Sequence, residues 1–218
     1  MKICMLNGSP KTGESFSGTI LNRLEEDITA SCKGAQIIQY KVYRPLNQET
    51  DYEQILTCDV LVTAFPLYVD GIPSNLLEEL TKLEPYFKKV VSRPKLYVIV
   101  NNGFNDANQN RHAVEIMKHY AKKAGLEFGQ AIAIGAGEAT REMLKGGVPF
   151  GKATLAHLKK PWTDFVENIA AQLSAKSEYT HMKMPNLFFM KMANSTFWDA
   201  NAKKNGISKK QLDTRLTL

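Results

Sequence analysis

Asn7-Gly8-Ser9-Pro10-Lys11-Thr12-Gly13-Glu14-Ser15-Phe16-Ser17 follows a short apolar run, Lys2 to Leu6, and leads into a helical pattern. A strand, a loop of small residues and a helix start together make an anion site, because free backbone N–H groups and the helix dipole both face the loop. The hydroxyls of Ser9, Ser15 and Ser17 and the ammonium of Lys11 add donors. Such a site asks for a phosphate.

The residues also say which phosphate. Gly8 to Ser15 has the spacing of a nucleotide-triphosphate loop, except that Glu14 stands where a lysine must grip the β- and γ-phosphates. A carboxylate there repels a triphosphate. The dinucleotide fingerprint fails as well, since Pro10 occupies its second glycine position. A phosphatase would need a cysteine, five residues and then an arginine around this loop, but Pro10 stands at the arginine's position and no arginine follows. A single terminal monophosphate remains the best guest.

Outward from this loop, five apolar or β-branched runs alternate with helical patterns: Lys2 to Leu6, Gln36 to Val42, Val60 to Phe65, Leu96 to Val100 and Ala131 to Ile134. Near-continuous apolar strands interleaved with helices imply a parallel sheet covered on both faces. Phe16, Ile20, Leu21, Leu24 and Ile28 recur at helical spacing, as do Leu76, Leu77, Leu80, Leu83 and Phe87, with Ser74 as the N-cap of the second series. A further helix is expected over Asn108 to Gly125, ended by its glycine, and another over Thr163 to Ser174 with Phe165, Ile169 and Leu173 inward. Glu138 to Pro161, with Gly146, Gly147, Pro149 and Gly151, reads as a long connection outside the simple alternation.

The chain has 218 residues, 44% apolar and 23% charged, which suits one α/β domain with an appendage. Residues 1–180 are expected to form that domain and 181–218 a C-terminal helical extension. The opening run is the length of one strand, too short for a signal peptide, and no apolar stretch is long enough to span a bilayer. Cys4, Cys32 and Cys58 form no CxxC pair and suit a reducing, cytoplasmic setting. His112, His119, His157 and His181 have no metal-ligand spacing. Of the net charge of +6, five units come from Lys183 to Leu218, where seven basic residues stand against two acidic ones. A basic tail with no reading motif is a solvated face, so nucleic acid is not expected as a partner.

Three loops resemble those of the flavodoxin-like NAD(P)H-dependent FMN reductases, a family that includes quinone and azo-compound reductases. Gly8-Ser9-Pro10-Lys11 with the downstream Ser15-Phe16-Ser17 is similar to the family's phosphate loop. Pro66-Leu67-Tyr68-Val69-Asp70-Gly71-Ile72-Pro73 is similar to its P-x-Y loop, and Asn101-Asn102-Gly103-Phe104 corresponds to the loop at the far edge of the flavin ring. The resemblance implies a flavodoxin-like doubly wound five-stranded sheet of order 2-1-3-4-5 with helices on both faces. It implies FMN contacts from Ser9, Pro10, Lys11, Ser15, Phe16 and Ser17. The second loop would add Pro66, Leu67, Tyr68, Val69, Asp70 and Gly71, its amides tuning the ring, and the third Asn102, Gly103 and Phe104.

The implied activity is transfer of reducing equivalents from NAD(P)H to a small-molecule acceptor such as a quinone, azo or nitro compound or free flavin. The flavin carries the hydride, so no catalytic side chain is assigned and no metal is expected. A homodimer is implied too. The tail residues Leu187, Phe188, Phe189, Met190, Met192, Phe197 and Trp198 read as packing on their own domain or a partner subunit rather than as a membrane face. Each loop also has a plainer reading: Ser15 as a simple N-cap, Tyr68 as core packing, Asn101-Asn102-Gly103 as turn chemistry. Two other functions stay open, an electron-carrier flavodoxin and a cofactor-less scaffold, the latter because Glu14 sits close to the expected phosphate.

Overall fold

The computed structural model describes residues 1–147, 150 and 152–212; Pro149 and Gly151 of the long connection and the last residues of the tail lie outside them. Two compact units are present, Met1–Met182 and Lys183–Leu218.

In the first unit, β1 (Lys2–Asn7) leads to α1 (Phe16–Ser31), β2 (Gln36–Lys41) and a short α2 (Thr50–Leu56). Then come β3 (Val60–Pro66), α3 (Ser74–Phe87), β4 (Lys95–Asn101) and, after a 3₁₀ turn over Ala107–Asn110, α4 (Arg111–Ala124). β5 (Glu127–Ile134), α5 (Gly137–Lys145), a second 3₁₀ turn (Ala153–Leu158), α6 (Lys159–Ala170) and β6 (Glu178–Thr180) complete it. The sheet order is β2-β1-β3-β4-β5-β6, every pairing parallel. The order 2-1-3-4-5 is therefore present, and β6 extends the sheet by one short strand beside β5.

Alternation along the strands explains the two layers. Cys4, Leu6, Leu61, Val98 and Val100 pack with α2, α3 and α4, whereas Ile3, Met5, Val60, Val62 and Ile99 pack with α1 and α6. Both faces are buried, which is why the strands read as unbroken apolar runs. The helix boundaries follow local chemistry. Gly125 ends α4 with φ 75°, the left-handed conformation that glycine adopts without a Cβ clash.

Four details differ from expectation. Ser74 is the first residue of α3 rather than its cap, and Pro73 precedes it without a side-chain capping bond. Leu77 of the same helix is exposed, because the apolar stripe follows Leu76, Leu80, Leu83 and Phe87. The last helix of the unit begins at Lys159 and ends at Ala170, so Leu173 lies beyond it in solvent. Pro161 falls in its first turn, where the missing N–H is tolerated. The connection from Glu138 is largely structured, with α5 occupying its first part.

The second unit holds α7 (Asn186–Met192), a π-helical turn (Ala193–Trp198), α8 (Asp199–Lys204) and α9 (Lys209–Leu212). Phe189 is buried, whereas Leu187, Phe188, Met190 and Trp198 are exposed. Among the described residues no helix is long and apolar enough to cross a membrane.

Candidate functional site

The carboxyl ends of β1, β3 and β4 meet where the chain, having run outward from β1 to β2, returns to β3 on the other side. Ligands in open parallel sheets bind at such a switch point. A cleft of about 180 Å³ opens there, lined by Ser9, Lys11, Ser15, Phe16, Ser17, Pro66, Leu67, Tyr68, Asn101, Asn102, Gly103 and Glu138.

The first loop is built by its own small side chains. Asn7 Oδ1 accepts from the Ser9 N–H at 3.1 Å, and Ser9 Oγ from the Lys11 N–H at 3.3 Å. Ser15, in extended conformation, caps α1 by accepting from the Gly18 N–H at 3.1 Å. The plain capping role is thus real, but it uses only an acceptor lone pair and leaves the Ser15 hydroxyl proton free to donate. The N–H groups of Phe16 and Ser17, among those a helix start leaves unsatisfied, have no hydrogen-bond partner among the described residues. Ser17 Oγ is buried with no hydrogen-bond partner among the described residues, in a residue only 1% exposed. A buried hydroxyl in that state costs free energy unless a ligand engages it.

Phe16 lines the cleft and also belongs to the buried core beneath α1. Pro10 is exposed and outside the cleft wall. Glu14, the residue that argues against a phosphate, is drawn onto Lys145 and is not part of the wall. That ion pair holds its carboxyl below the usual range, with Arg141 adding a weaker pull.

The second loop turns back on itself. Tyr68 and Gly71 exchange hydrogen bonds at 3.1 and 2.9 Å, with Val69 (φ 47°) and Asp70 (φ 56°) between them in the left-handed region. A β-branched residue there is an outlier, and such strain clusters at ligand clamps. Gly71's amide is committed to Tyr68, while those of Val69 and Asp70 carry no hydrogen bond to the described residues. Pro66, Leu67 and Tyr68 line the cleft, and Tyr68, 44% exposed, stands at its mouth. Val69, Asp70 and Gly71 lie beyond the wall itself.

The third loop is held by Asn102, whose Oδ1 accepts from the Phe104 N–H and whose Nδ2 donates to the Asp106 carbonyl, both at 3.0 Å. This is turn chemistry, and it presents Asn102 and Gly103 to the cleft, while Phe104 is exposed outside the wall. Asn101 was not among the expected contacts; it lines the cleft while donating to the Phe65 carbonyl at 3.1 Å. Glu138 was not among the expected contacts either, and local sequence carries no signal for a carboxylate in this wall.

Among the described residues no group of three or more His, Cys, Asp or Glu side chains could hold a metal ion. The family model described as "Flavodoxin-like fold" matches residues 1–136, more than half of the chain. The chain belongs to this family. The flavodoxin-like chain superposes on a structure titled NADH:FMN oxidoreductase (EMOB), apo form, with a TM-score of 0.60 at 12% identity, covering 86% of this chain and 98% of the other. A putative quinone reductase from Klebsiella pneumoniae gives 0.53 at 10% identity, covering 81% and 86%. A Streptococcus pneumonia TIGR4 flavodoxin gives 0.50 at 13%, covering 79% and 100%. At such identities the likeness is one of fold. No curated protein matches the sequence.

Proposed function

We propose that this chain is an FMN-dependent oxidoreductase that passes reducing equivalents from NAD(P)H to a small-molecule acceptor such as a quinone, an azo or nitro compound or free flavin. The observation that carries this reading is the buried, unpartnered Ser17 hydroxyl beside two bare helix-start amides, at the switch point of a flavodoxin-like sheet. The set of donors fits a terminal phosphate: the N–H groups of Phe16 and Ser17, the hydroxyls of Ser9, Ser15 and Ser17, and the Lys11 ammonium.

A cleft of about 180 Å³ is smaller than the roughly 300–1,000 Å³ that encloses a whole drug-sized ligand. It suits the phosphoryl end, leaving the ring to Tyr68 at the mouth, the exposed amides of Val69 and Asp70, and the third loop. Bound FMN supplies the hydride chemistry; the protein's share is to bind, to orient and to tune. Tyr68 and Phe104 present apolar area at the rim, which favours a homodimer in which a second copy covers it. Three free cysteines suit a reducing cytoplasm.

The test is titration of the purified protein with FMN and with riboflavin, followed by NADH and NADPH oxidation with quinone, azo, nitro and flavin acceptors. Tight FMN, weak riboflavin and acceptor-dependent turnover are expected. Absence of FMN binding would remove the reading; binding without turnover would leave an electron carrier.

A further inference from the structure

Lys11, the cation of the phosphate loop, is already engaged. Its Nζ lies 3.0 Å from Glu138 Oε1, and both residues line the cleft. Glu138 arrives on the first turn of α5, whose approach is fixed from two sides. The Ala136 and Gly137 amides donate to the Phe104 and Asn102 carbonyls at 2.6 and 2.8 Å, with Ala136 at φ 54°. Further along the helix, Lys145 pairs with Glu14, and Arg141 Nη1 donates to the Glu14 carbonyl at 3.5 Å. The second oxygen of Glu138 lies 2.9 Å from Arg141 Nη2, on a side chain only 15% exposed.

We propose that Glu138 is an internal competitor of the ligand phosphate for Lys11, so that entry of the phosphate exchanges one ion pair for another and FMN is held less tightly than the site's donors alone would hold it. This rests on the flavin reading above. A carboxylate in the wall of a site for a phosphate dianion disfavours the ligand twice, by repelling it and by occupying its cation. Lysine suits such an exchange, since its ammonium is a point charge on a flexible stem with no fixed fork to dismantle. Glu138 is not stranded when Lys11 leaves, because Arg141 keeps its other oxygen. The helix is not released either, because the Glu14–Lys145 pair is independent of the exchange. The Lys11–Glu138 pair is part-exposed, so it weakens binding by a modest factor and does not close the site.

The experiment compares wild type, E138Q, K11Q and the double variant by fluorescence titration with FMN and with riboflavin, and by thermal shift with inorganic phosphate. E138Q is expected to tighten FMN about three- to tenfold and to leave riboflavin unchanged. That gain is expected to shrink in the K11Q background, where the lysine that phosphate and Glu138 compete for is gone. Unchanged or weaker FMN binding by E138Q, an equal gain for riboflavin, or a full gain without Lys11 would overturn the proposal. Inorganic phosphate separates it from the flavin reading. If neither protein binds FMN, the flavin reading falls, while greater stabilisation of E138Q than of wild type by phosphate upholds Glu138's role. Equal or no stabilisation then overturns that role too.

Discussion

Gly8 lies so close under Leu76 that a Cβ built on it would fall 2.5 Å from the leucine's Cδ2 and 3.1 Å from its Cβ. The two residues join the phosphate loop to the start of α3, and Asn75 reinforces the seam by donating to the Gly8 carbonyl at 3.2 Å. Leu76 is fully buried, so it has little room to yield. Gly8→Ala is therefore expected to cost about 1–3 kcal/mol, the usual range for overpacking. Urea unfolding of G8A, L76A and the double variant checks this. A G8A cost that does not shrink when Leu76 is truncated would show that the contact is not its cause.

Val69 carries the opposite kind of expectation. It is fully exposed at 102% of the reference area, packs against nothing, and sits at φ 47°. Left-handed backbone costs an L-residue roughly 1–2 kcal/mol, which glycine avoids at some loss of chain entropy. Val69→Gly is expected to raise stability by about 1 kcal/mol, or about 2–4 °C in Tm for a chain of this size. A loosened turn holds the Val69 and Asp70 amides less firmly, so flavin affinity is expected to fall as stability rises. Calorimetry beside FMN titration reads both; a Tm at or below wild type would mean that the turn is not strained.

Acid should act through a small set of carboxylates. Glu14 is held below its ordinary value of 4.5 by Lys145, Glu84 by Lys88 and Lys123, and Glu127 by Lys95 and Ser174. A folded-state value below the unfolded one means that the native state binds fewer protons. The stability contributed is then complete above about 4.5 and is lost as pH falls through the lowered values. Urea midpoints are expected to be flat in this respect near neutrality and to decline below that point, less steeply in E127Q. An equally steep decline in E127Q would assign the acid sensitivity elsewhere.

The sheet was legible because its strands are buried on both sides. Val60-Leu61-Val62 and Leu96 to Val100 send alternate residues to opposite helix layers, and only apolar side chains satisfy both. β6 was not, since Glu178-Tyr179-Thr180 is three residues long at a sheet edge and has no apolar pattern to show. α2 was hidden similarly, with only Tyr52 and Ile55 buried. At the site, the phosphate loop could be read from a contiguous stretch, because strand end, loop and helix start are adjacent in the chain. Glu138 could not. Its partner Lys11 is 127 positions away, and which charges meet across that gap depends on where α5 lands. Phe16 was visible as a helix residue, but only the fold shows that it belongs both to the core and to the cleft wall.

Ser17 offers the sharpest division between stability and binding. Its hydroxyl is buried without a partner, and leaving such a group unsatisfied costs roughly 1–3 kcal/mol of desolvation. Ser17→Ala removes that cost along with the hydroxyl, so the free protein is expected to be as stable as wild type or slightly more stable. A hydrogen bond to a charged phosphate is worth about 1.5–3 kcal/mol, so FMN affinity is expected to fall about ten- to a hundredfold. Riboflavin, lacking the phosphate, should bind S17A as it binds wild type. Ser15→Ala is the control: it loses the cap accepted from Gly18 and should destabilise the protein by about 0.5–2 kcal/mol. If instead S17A is the less stable of the two and binds FMN normally, the Ser17 hydroxyl serves the fold, and the phosphate must be held without it.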